Sequence, residues 1–289
     1  MMMEKYIGKV KLNLEFYKGS DPESDKELES KLLSIVKSGK DIEEYLTSES
    51  DGRILYQLSD IRKNLLRWYT FDKNARLLEI GSGCGALTGL FCERCAFVTA
   101  IEPSKTRCEI NAYRNNYDNL DIIAGCLNDI RLNEKYDIVT LIGSLELSEN
   151  LISAAKTMLK PGGTIIVATA NKYGLKYWSG ASDEETGTVF SYSDEQACVN
   201  CFSKNGLTKI LTELDINNIE FYYPVPDHKL PLYIYTEESL PESGLINTET
   251  VEYVKEGLKL FNERKVSDEL LKDGMYPDFA NSYLVIGSV

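Results

Sequence analysis

The sequence has a single histidine, fewer basic than acidic residues and no long apolar run. Its 32 Lys and Arg residues against 45 Asp and Glu residues give a formal net charge of −13. No basic run offsets this charge, so the chain would repel a phosphate backbone, and we predict that nucleic acid is not its main partner. No stretch approaches the roughly 18 apolar residues of a membrane span, and the charged N-terminus lacks the apolar core of a signal peptide. These absences predict a soluble, cytoplasmic protein.

Cysteines are too few and too scattered to predict a disulfide framework. The chain has seven, an odd number, which favours reduced thiols. Two C-x-x-C pairs, Cys92/Cys95 and Cys198/Cys201, have a spacing that zinc ligands use. Both pairs lie in segments with a helical pattern, however, where cysteines three residues apart commonly pack in the interior. We therefore predict no metal site.

The remaining composition is typical of a globular protein. Of 289 residues, 43% are hydrophobic and 27% are charged. A chain of this length can bury a substantial core. It can form one large α/β domain, or a domain with a small appendage.

A glycine-rich turn is the most informative local pattern. Residues 77–89 read Leu-Leu-Glu-Ile-Gly-Ser-Gly-Cys-Gly-Ala-Leu-Thr-Gly, an apolar strand followed by glycines and then a helix. Gly81, Gly83 and Gly85 remove side chains from the turn, so backbone N–H groups and the positive helix N-terminus can approach a ligand closely. The spacing also satisfies the loose dinucleotide pattern G-x-G-x-x-A. The turn is therefore predicted to hold a ligand.

Two acidic residues narrow the choice of ligand. Glu79 lies inside the first strand, where a buried carboxylate needs a donor such as a ligand ammonium group. Glu102 ends the next apolar strand, 21 residues after Gly81. At that separation, an acid can reach the hydroxyls of a ribose.

Together with Leu-Lys-Pro-Gly-Gly at 159–163, these residues resemble the class I S-adenosylmethionine-dependent methyltransferases. The resemblance extends over residues 55–170 and implies S-adenosylmethionine as cofactor and S-adenosylhomocysteine as product. In that family the glycine turn passes under the methionine part of the cofactor. By position, Glu79 would help to place the cofactor and Glu102 would hold its ribose.

The resemblance also implies the wider cofactor site. The helix before the glycine strand borders the cofactor, which makes Tyr56 and Arg62 candidates to contact the methionine carboxylate. The expected cofactor-binding residues are Tyr56, Glu79, Gly81, Ser82, Gly83, Gly85, Glu102, Pro103, Cys126, Leu127, Asn128 and Gly143.

The sequence departs from the family at two positions. Cys126 replaces the usual acid that contacts the adenine amine, a contact that Asn128 or Asp129 could supply instead. Leu147 replaces the histidine of the usual Leu-Glu-His pattern after a later strand, so a base comes from elsewhere or none is needed. Glu146 is one catalytic candidate. The other candidate is His228, which could deprotonate an acceptor hydroxyl or could simply occupy a corner of the surface.

The order of the elements predicts an α/β fold with a doubly wound, mostly parallel, seven-stranded sheet and a C-terminal antiparallel hairpin. We predict an N-terminal extension or cap over residues 1–54 and a methyltransferase domain over 55–289. A helix is expected from Asp60 to about Trp68. Residues 229–278 are predicted as a helical insertion before the last strand, with an apolar stripe that comprises Val251, Val254, Leu258 and Phe261.

The acceptor is predicted to enter beside residues 171–180. Their aromatic side chains, near the acidic segment 183–187, suit a polyhydroxylated ring. Several segments also resemble bacterial methyltransferases linked to surface-glycan pathways. We therefore expect methyl transfer to a small-molecule or glycan-like acceptor, at oxygen. A nicotinamide-dependent oxidoreductase and a non-catalytic S-adenosylmethionine-binding module are the alternatives, and a homodimer is a further expectation.

Overall fold

The structure is a computed structural model, and it describes residues 4–21, 25–49, 51–143, 148–182, 188–189, 201–246 and 260–289. In these residues the strands are β1 Glu4–Ile7, β2 Val10–Asn13, β3 Arg76–Ile80, β4 Phe97–Glu102, β5 Leu120–Ala124, β6 Tyr136–Ile142, β7 Leu159–Ala170, β8 Asn217–Val225, β9 Tyr233–Thr236 and β10 Ser282–Ser288. The helices are α1 Lys26–Lys37, α2 Ile42–Leu46, α3 Gly52–Leu58, α4 Thr88–Arg94, α5 Lys105–Arg114, α6 Glu149–Thr157, α7 Leu175–Trp178, α8 Lys204–Glu213, α9 Glu263–Lys272 and α10 Tyr276–Phe279.

The described strands form one mixed sheet in the order β1-β2-β5-β4-β3-β6-β7-β10-β8-β9. The strands from β2 to β7 in this order are parallel. The last strand, β10, runs antiparallel to both β7 and β8, as the predicted C-terminal hairpin requires. The α/β, doubly wound fold is therefore confirmed.

The predicted number of seven strands is wrong, because the described sheet has ten. The seven from β5 to β8 in the sheet order form the expected core. The pair β1/β2 extends one edge through parallel pairing with β5, and β9 extends the other through antiparallel pairing with β8. Short edge strands are stabilised largely by backbone hydrogen bonds to a neighbouring strand, so their own sequences predict them only weakly.

The central strands are buried on both faces. Successive side chains of a strand point to opposite faces, and Leu77 and Leu78 in β3 accordingly enter two different apolar clusters. A third cluster lies between α1, α3 and α5, around Leu32, Ile54 and Ile110. The N-terminal helices therefore pack against the domain, while the predicted boundary at residue 54 stays a prediction.

Several predicted elements change in the structure. The helix expected from Asp60 to about Trp68 is instead a shorter 3-10 helix, Asp60–Leu65. It follows α3 directly, because Ser59 ends α3 and caps the 3-10 helix. The part of the insertion that is described contains β9, α9 and α10, so it is not only helical. The predicted stripe Val251, Val254 and Leu258 lies outside the described residues.

Cysteine chemistry and membrane character can be checked over the same residues. Cys201 is disulfide-bonded, so the prediction of reduced thiols throughout is wrong. Cys84, Cys92, Cys95, Cys108 and Cys126 are not disulfide-bonded. No described helix combines the length and apolar character needed to cross a bilayer, and no three His, Cys, Asp or Glu side chains cluster as metal ligands in the described ranges.

Candidate active site

A cleft opens at the carboxyl ends of β3, β4, β5 and β6, where an open α/β sheet binds ligands. It holds about 1080 Å³ of empty space, including its open mouth. Its walls include Tyr56, Arg62, Gly81, Ser82, Gly83, Ala86, Glu102, Pro103, Arg107, Gly125, Cys126, Leu127, Gly143 and Leu151.

The glycines of the turn serve two different purposes. Gly81, Gly83 and Gly85 have φ angles of +75°, +53° and +76°, a backbone conformation that favours glycine. A Cβ added at Gly83 would meet no described atom within 4 Å, so Gly83 keeps the cleft clear. A Cβ at Gly85 would lie 2.3 Å from Asn111 Oδ1 and 2.5 Å from Asn115 Nδ2. Gly85 therefore makes room for protein atoms beneath the turn.

Two buried amides hold the turn from below, and they are not among the residues predicted from the sequence. Asn115 Nδ2 donates to the Gly85 carbonyl at 2.8 Å and to Asn111 Oδ1 at 2.9 Å. Asn111 Nδ2 donates to Thr88 Oγ1 at 3.1 Å and to Ser82 Oγ at 3.3 Å. The available signal was the i, i+4 spacing of two asparagines on the inner face of an otherwise ordinary helix.

Glu79 is buried beside the turn and shares a small side pocket with Arg62. Thr88 Oγ1 donates to Glu79 Oε2 at 2.6 Å. Burial raises the pKa of Glu79 to about 8, although the Thr88 hydrogen bond and the charge of Arg62 both act to lower it. In the free protein, Glu79 is therefore mostly protonated at neutral pH.

This pKa predicts how stability depends on pH. The folded-state pKa of Glu79, about 8, lies above its ordinary value of 4.5, so the stabilising contribution is complete below pH 4.5 and is lost as pH rises through 8. In urea unfolding of the free protein, the unfolding free energy is expected to fall over this window by an amount on the order of a few kcal/mol more than in Glu79→Gln. Exposed Glu213→Gln is the control and should keep the wild-type profile. Equal slopes for wild type and Glu79→Gln would contradict the assignment.

Glu102 faces the cleft from the end of β4. It accepts the Gly83 N–H on Oε2 and the Ser104 N–H on Oε1, both at 3.0 Å. Burial raises the pKa of Glu102, while Arg107 and the two backbone hydrogen bonds oppose this shift. The carboxylate is thus fixed in orientation and joins the glycine turn to the second strand.

Arg62 brings a buried positive charge to the cleft. The side chain is 7% exposed, and its guanidinium carbon lies 4.2 Å from the centroid of the Tyr56 ring. Neither Nε nor Nη1 has a hydrogen-bond partner among the described residues. Burying a cation without an anionic partner is costly, so this guanidinium is suited to an anionic ligand group.

His228 lies at the same end of the sheet as Gly143. A Cβ at Gly143 would lie 3.6 Å from His228 Nε2 and 3.5 Å from the Tyr56 hydroxyl. The imidazole is buried, so the alternative of a surface-corner histidine is wrong. Burial lowers the pKa of His228 to about 4, although the charge of Asp227 raises it. The ring is therefore neutral at pH 7, and its buried Nδ1 has no hydrogen-bond partner within the described part of the chain.

Comparison with protein families matches residues 51–220 to a family described as a methyltransferase domain. The match spans more than half of the chain. The chain belongs to this methyltransferase family. Its glycine turn, Glu79 and Glu102 all fall within the matched residues.

Two curated bacterial relatives agree with this assignment. The chain is 27% identical over 111 residues to malonyl-[acyl-carrier protein] O-methyltransferase of Priestia megaterium, and the aligned region covers 37% of this chain and 40% of the relative. It is 27% identical over 131 residues to ubiquinone biosynthesis O-methyltransferase of Saccharophagus degradans, and this aligned region covers 43% of this chain and 56% of the relative. The chain thus spans about half the length of these relatives.

A solved structure supports the fold. It is the complex between the Haloferax volcanii Trm112 methyltransferase activator and a methyltransferase, matched with a TM-score of 0.52 and 12% identity over 92% of this chain and 99% of that chain. At this identity, the similarity concerns the fold alone.

The family's cofactor is S-adenosylmethionine, and most of the predicted binding residues surround the cleft. Tyr56, Gly81, Ser82, Gly83, Glu102, Pro103, Cys126, Leu127 and Gly143 line it. Glu79 lines the side pocket, and Gly85 lines neither pocket but makes room for the amides of Asn111 and Asn115 beneath the turn. Asn128 is exposed and is not part of the described wall, and Glu146 lies outside the described residues. Arg62, with Nε and Nη1 lacking a hydrogen-bond partner in the described ranges, and the turn without side chains fit the charged methionine end of this cofactor.

Proposed function

We propose that this methyltransferase domain transfers a methyl group from S-adenosylmethionine to an oxygen of a small-molecule or glycan-like acceptor. The observation that carries the proposal is the arrangement of ionisable groups around the cleft. Arg62, whose Nε and Nη1 have no hydrogen-bond partner among the described residues, lies beside Glu79 in the side pocket, and Glu102 faces the cleft. When bound, the cofactor supplies a sulfonium-activated methyl group. Because the donor is already activated, the residues of the chain mainly have to align donor and acceptor.

Each charged group of the cofactor has a matching residue. Arg62 is placed to bind the methionine carboxylate, with donors left over on Nε and Nη1. Glu79 is placed to receive the ammonium group, which would favour its ionised form. Glu102 is placed to accept the ribose hydroxyls, and Cys126 and Leu127 line the cleft at the end of β5, where the adenine would lie.

The acceptor is proposed to approach over Gly143. There, neutral His228 has a lone pair available to take a proton from an acceptor hydroxyl, and the Tyr56 hydroxyl is close to the same point. In the segment after β7, Tyr173 and Trp178 are 40% and 37% exposed, which suits stacking against a sugar-like ring. A catalytic role for Glu146 stays a prediction.

Calorimetric titration with three ligands tests cofactor choice. S-adenosylmethionine and S-adenosylhomocysteine are expected to bind with micromolar dissociation constants, and NADH is expected not to bind. Binding of NADH with comparable affinity would favour an oxidoreductase. Absence of binding by both S-adenosyl compounds would reject the proposal.

Turnover separates an enzyme from a binding module. The purified protein would be supplied with S-adenosylmethionine and a panel of probes that contains a malonyl thioester, a catechol, free sugars and nucleotide sugars, and S-adenosylhomocysteine would be measured. For a hydroxyl probe that reacts, His228→Asn should lower turnover about a hundredfold, within the range of general-base catalysis, and change affinity for S-adenosylhomocysteine less than twofold. Unchanged turnover would remove His228 from the mechanism, and no product with any probe would favour the binding module.

A further inference from the structure

A buried acid on α1 points to a role for the N-terminal segment. Glu29 is 5% exposed, although it belongs to a helix outside the matched residues 51–220. Helix α1 packs against α5, the helix that follows Glu102. A buried carboxylate needs a hydrogen-bond donor or a cation as its partner. The partner of Glu29 therefore indicates the role of Glu29.

That partner is Arg107, which also lines the cleft. Arg107 Nε donates to Glu29 Oε1 at 2.6 Å, and Arg107 Nη1 lies 3.9 Å from Glu102 Oε1. One planar guanidinium therefore faces two carboxylates, and the short bond to Glu29 decides its orientation. Without that bond, the long side chain of Arg107 would be free to adopt rotamers that turn away from Glu102.

Two further contacts tie the same N-terminal segment to the cleft. Asp21 contacts the first turn of α5, because it accepts the Lys105 N–H at 2.7 Å and the Thr106 hydroxyl at 2.7 Å. Phe16 packs against Gly125, the residue that directly follows β5. A Cβ at Gly125 would lie 2.9 Å from Phe16 Cβ. Gly125 is itself part of the cleft wall.

We propose that the N-terminal segment is part of the cofactor site, with Glu29 as a positioning residue that holds Arg107 against Glu102 and so sets the affinity for the ribose of S-adenosylmethionine. The proposal rests on the proposed function. Arg107 favours the charged carboxylate of Glu102, and burial acts against it. The N–H groups of Gly83 and Ser104 already orient the Glu102 carboxylate, and the guanidinium of Arg107 stabilises its negative charge, which strengthens the hydrogen bonds that the carboxylate accepts from ribose hydroxyls.

A double-mutant cycle with S-adenosylhomocysteine tests this coupling. Calorimetry would compare wild type, Glu29→Ala, Glu102→Gln and the double variant. Glu29→Ala is expected to weaken binding about tenfold in the wild-type background and less than twofold in the Glu102→Gln background, because Glu29 acts through Glu102. Glu29→Gln, which keeps an oxygen acceptor for Arg107 Nε, should restore most of the affinity.

The controls separate positioning from general stabilisation. Glu27→Gln changes a charge on the exposed face of the same helix and should leave affinity unchanged. Arg107→Met provides a second background for the same test, because in that variant Glu29→Ala should no longer change the affinity for S-adenosylhomocysteine. Equal losses in both backgrounds, or no loss at all, would overturn the inference. Failure of the wild type to bind S-adenosylhomocysteine would instead overturn the proposed function.

Discussion

Gly83→Val is expected to lower the affinity for S-adenosylhomocysteine at least a hundredfold, which corresponds to about 2.7 kcal/mol or more. The reason is that a side chain at this position would project into the cleft, where no described atom lies within 4 Å of the added Cβ. The branched side chain would occupy the space through which the methionine part of the cofactor has to pass. Calorimetric titration measures the loss directly.

The substitution should reduce the stability of the folded protein less than it reduces the affinity for the ligand. At a φ of +53° the valine is strained, at a cost of about 1–2 kcal/mol, but it overlaps no described protein atom. The Tm should therefore fall only by a few degrees. A Gly83→Val protein that binds S-adenosylhomocysteine normally would show that the cofactor does not lie over the turn.

Gly85→Ala is the matched comparison, because it affects the other side of the same turn. Its Cβ would overlap the side-chain amides of Asn111 and Asn115, which themselves support the turn. Overpacking of this kind costs about 1–3 kcal/mol, and the φ of +76° adds strain of about 1–2 kcal/mol, so Tm is expected to fall by roughly 4–20 °C. A stability loss at Gly83 as large as that at Gly85 would contradict the division of roles between the two glycines.

Arg62→Met is expected to weaken binding of S-adenosylhomocysteine by about thirtyfold to several thousandfold. This range corresponds to the roughly 2–5 kcal/mol lost when one partner of a buried charge pair is removed. Arg62 is the buried cation that the methionine carboxylate would meet. Methionine keeps most of the length of the side chain, so the packing against Tyr56 is largely preserved.

The same variant should leave the free protein about as stable as the wild type. In the free protein, two guanidinium nitrogens of Arg62 have no hydrogen-bond partner among the described residues, so removing the charge relieves a cost. This relief offsets the lost interaction with the Tyr56 ring, which is worth about 0.5–2 kcal/mol. Arg62 is therefore expected to contribute to binding and not to folding, a separation typical of functional residues.

A ligand that lacks the carboxylate makes the test specific. Wild type should bind S-adenosylhomocysteine far more tightly than its decarboxylated analogue, and Arg62→Met should bind the two with similar affinity. Arg53→Met is the control, because Arg53 is exposed and pairs with Asp51 and Asp25 away from the cleft. Retention of the preference for the carboxylate in Arg62→Met would assign that contact to another residue.

Local sequence patterns were sufficient to predict the central strands of the sheet and the side of the cleft that the glycine turn and the two acidic residues form. The apolar strand, the glycines and Glu79 are contiguous, so their geometry follows from backbone preferences within a few residues. Glu102 could be found because a βαβ unit fixes the spacing between consecutive parallel strands. The edge strands could not be found in this way, since β9 is identified mainly by its pairing with β8.

The remainder of the cleft depends on residues that are distant in the sequence. His228 lies buried near Gly143 rather than at a surface corner, and no local pattern distinguishes these two environments. Similarly, two guanidinium nitrogens of Arg62 have no hydrogen-bond partner in the described part of the chain, and this depends on everything packed around the side chain. Asn111 and Asn115 were missed because their partners belong to a turn about thirty residues earlier in the chain.

The amino-acid sequence alone determined the family, the parallel core of the sheet and the ligand-binding turn, because each depends on short-range periodicity and on glycine's freedom to adopt positive φ. Only the folded chain decided which charges are left unpaired in the cleft and which residues face Gly143. It also decided that Glu29 reaches Arg107 across 78 positions of sequence. Burial and pairing are sums over neighbours from many segments, and those neighbours are set by tertiary packing.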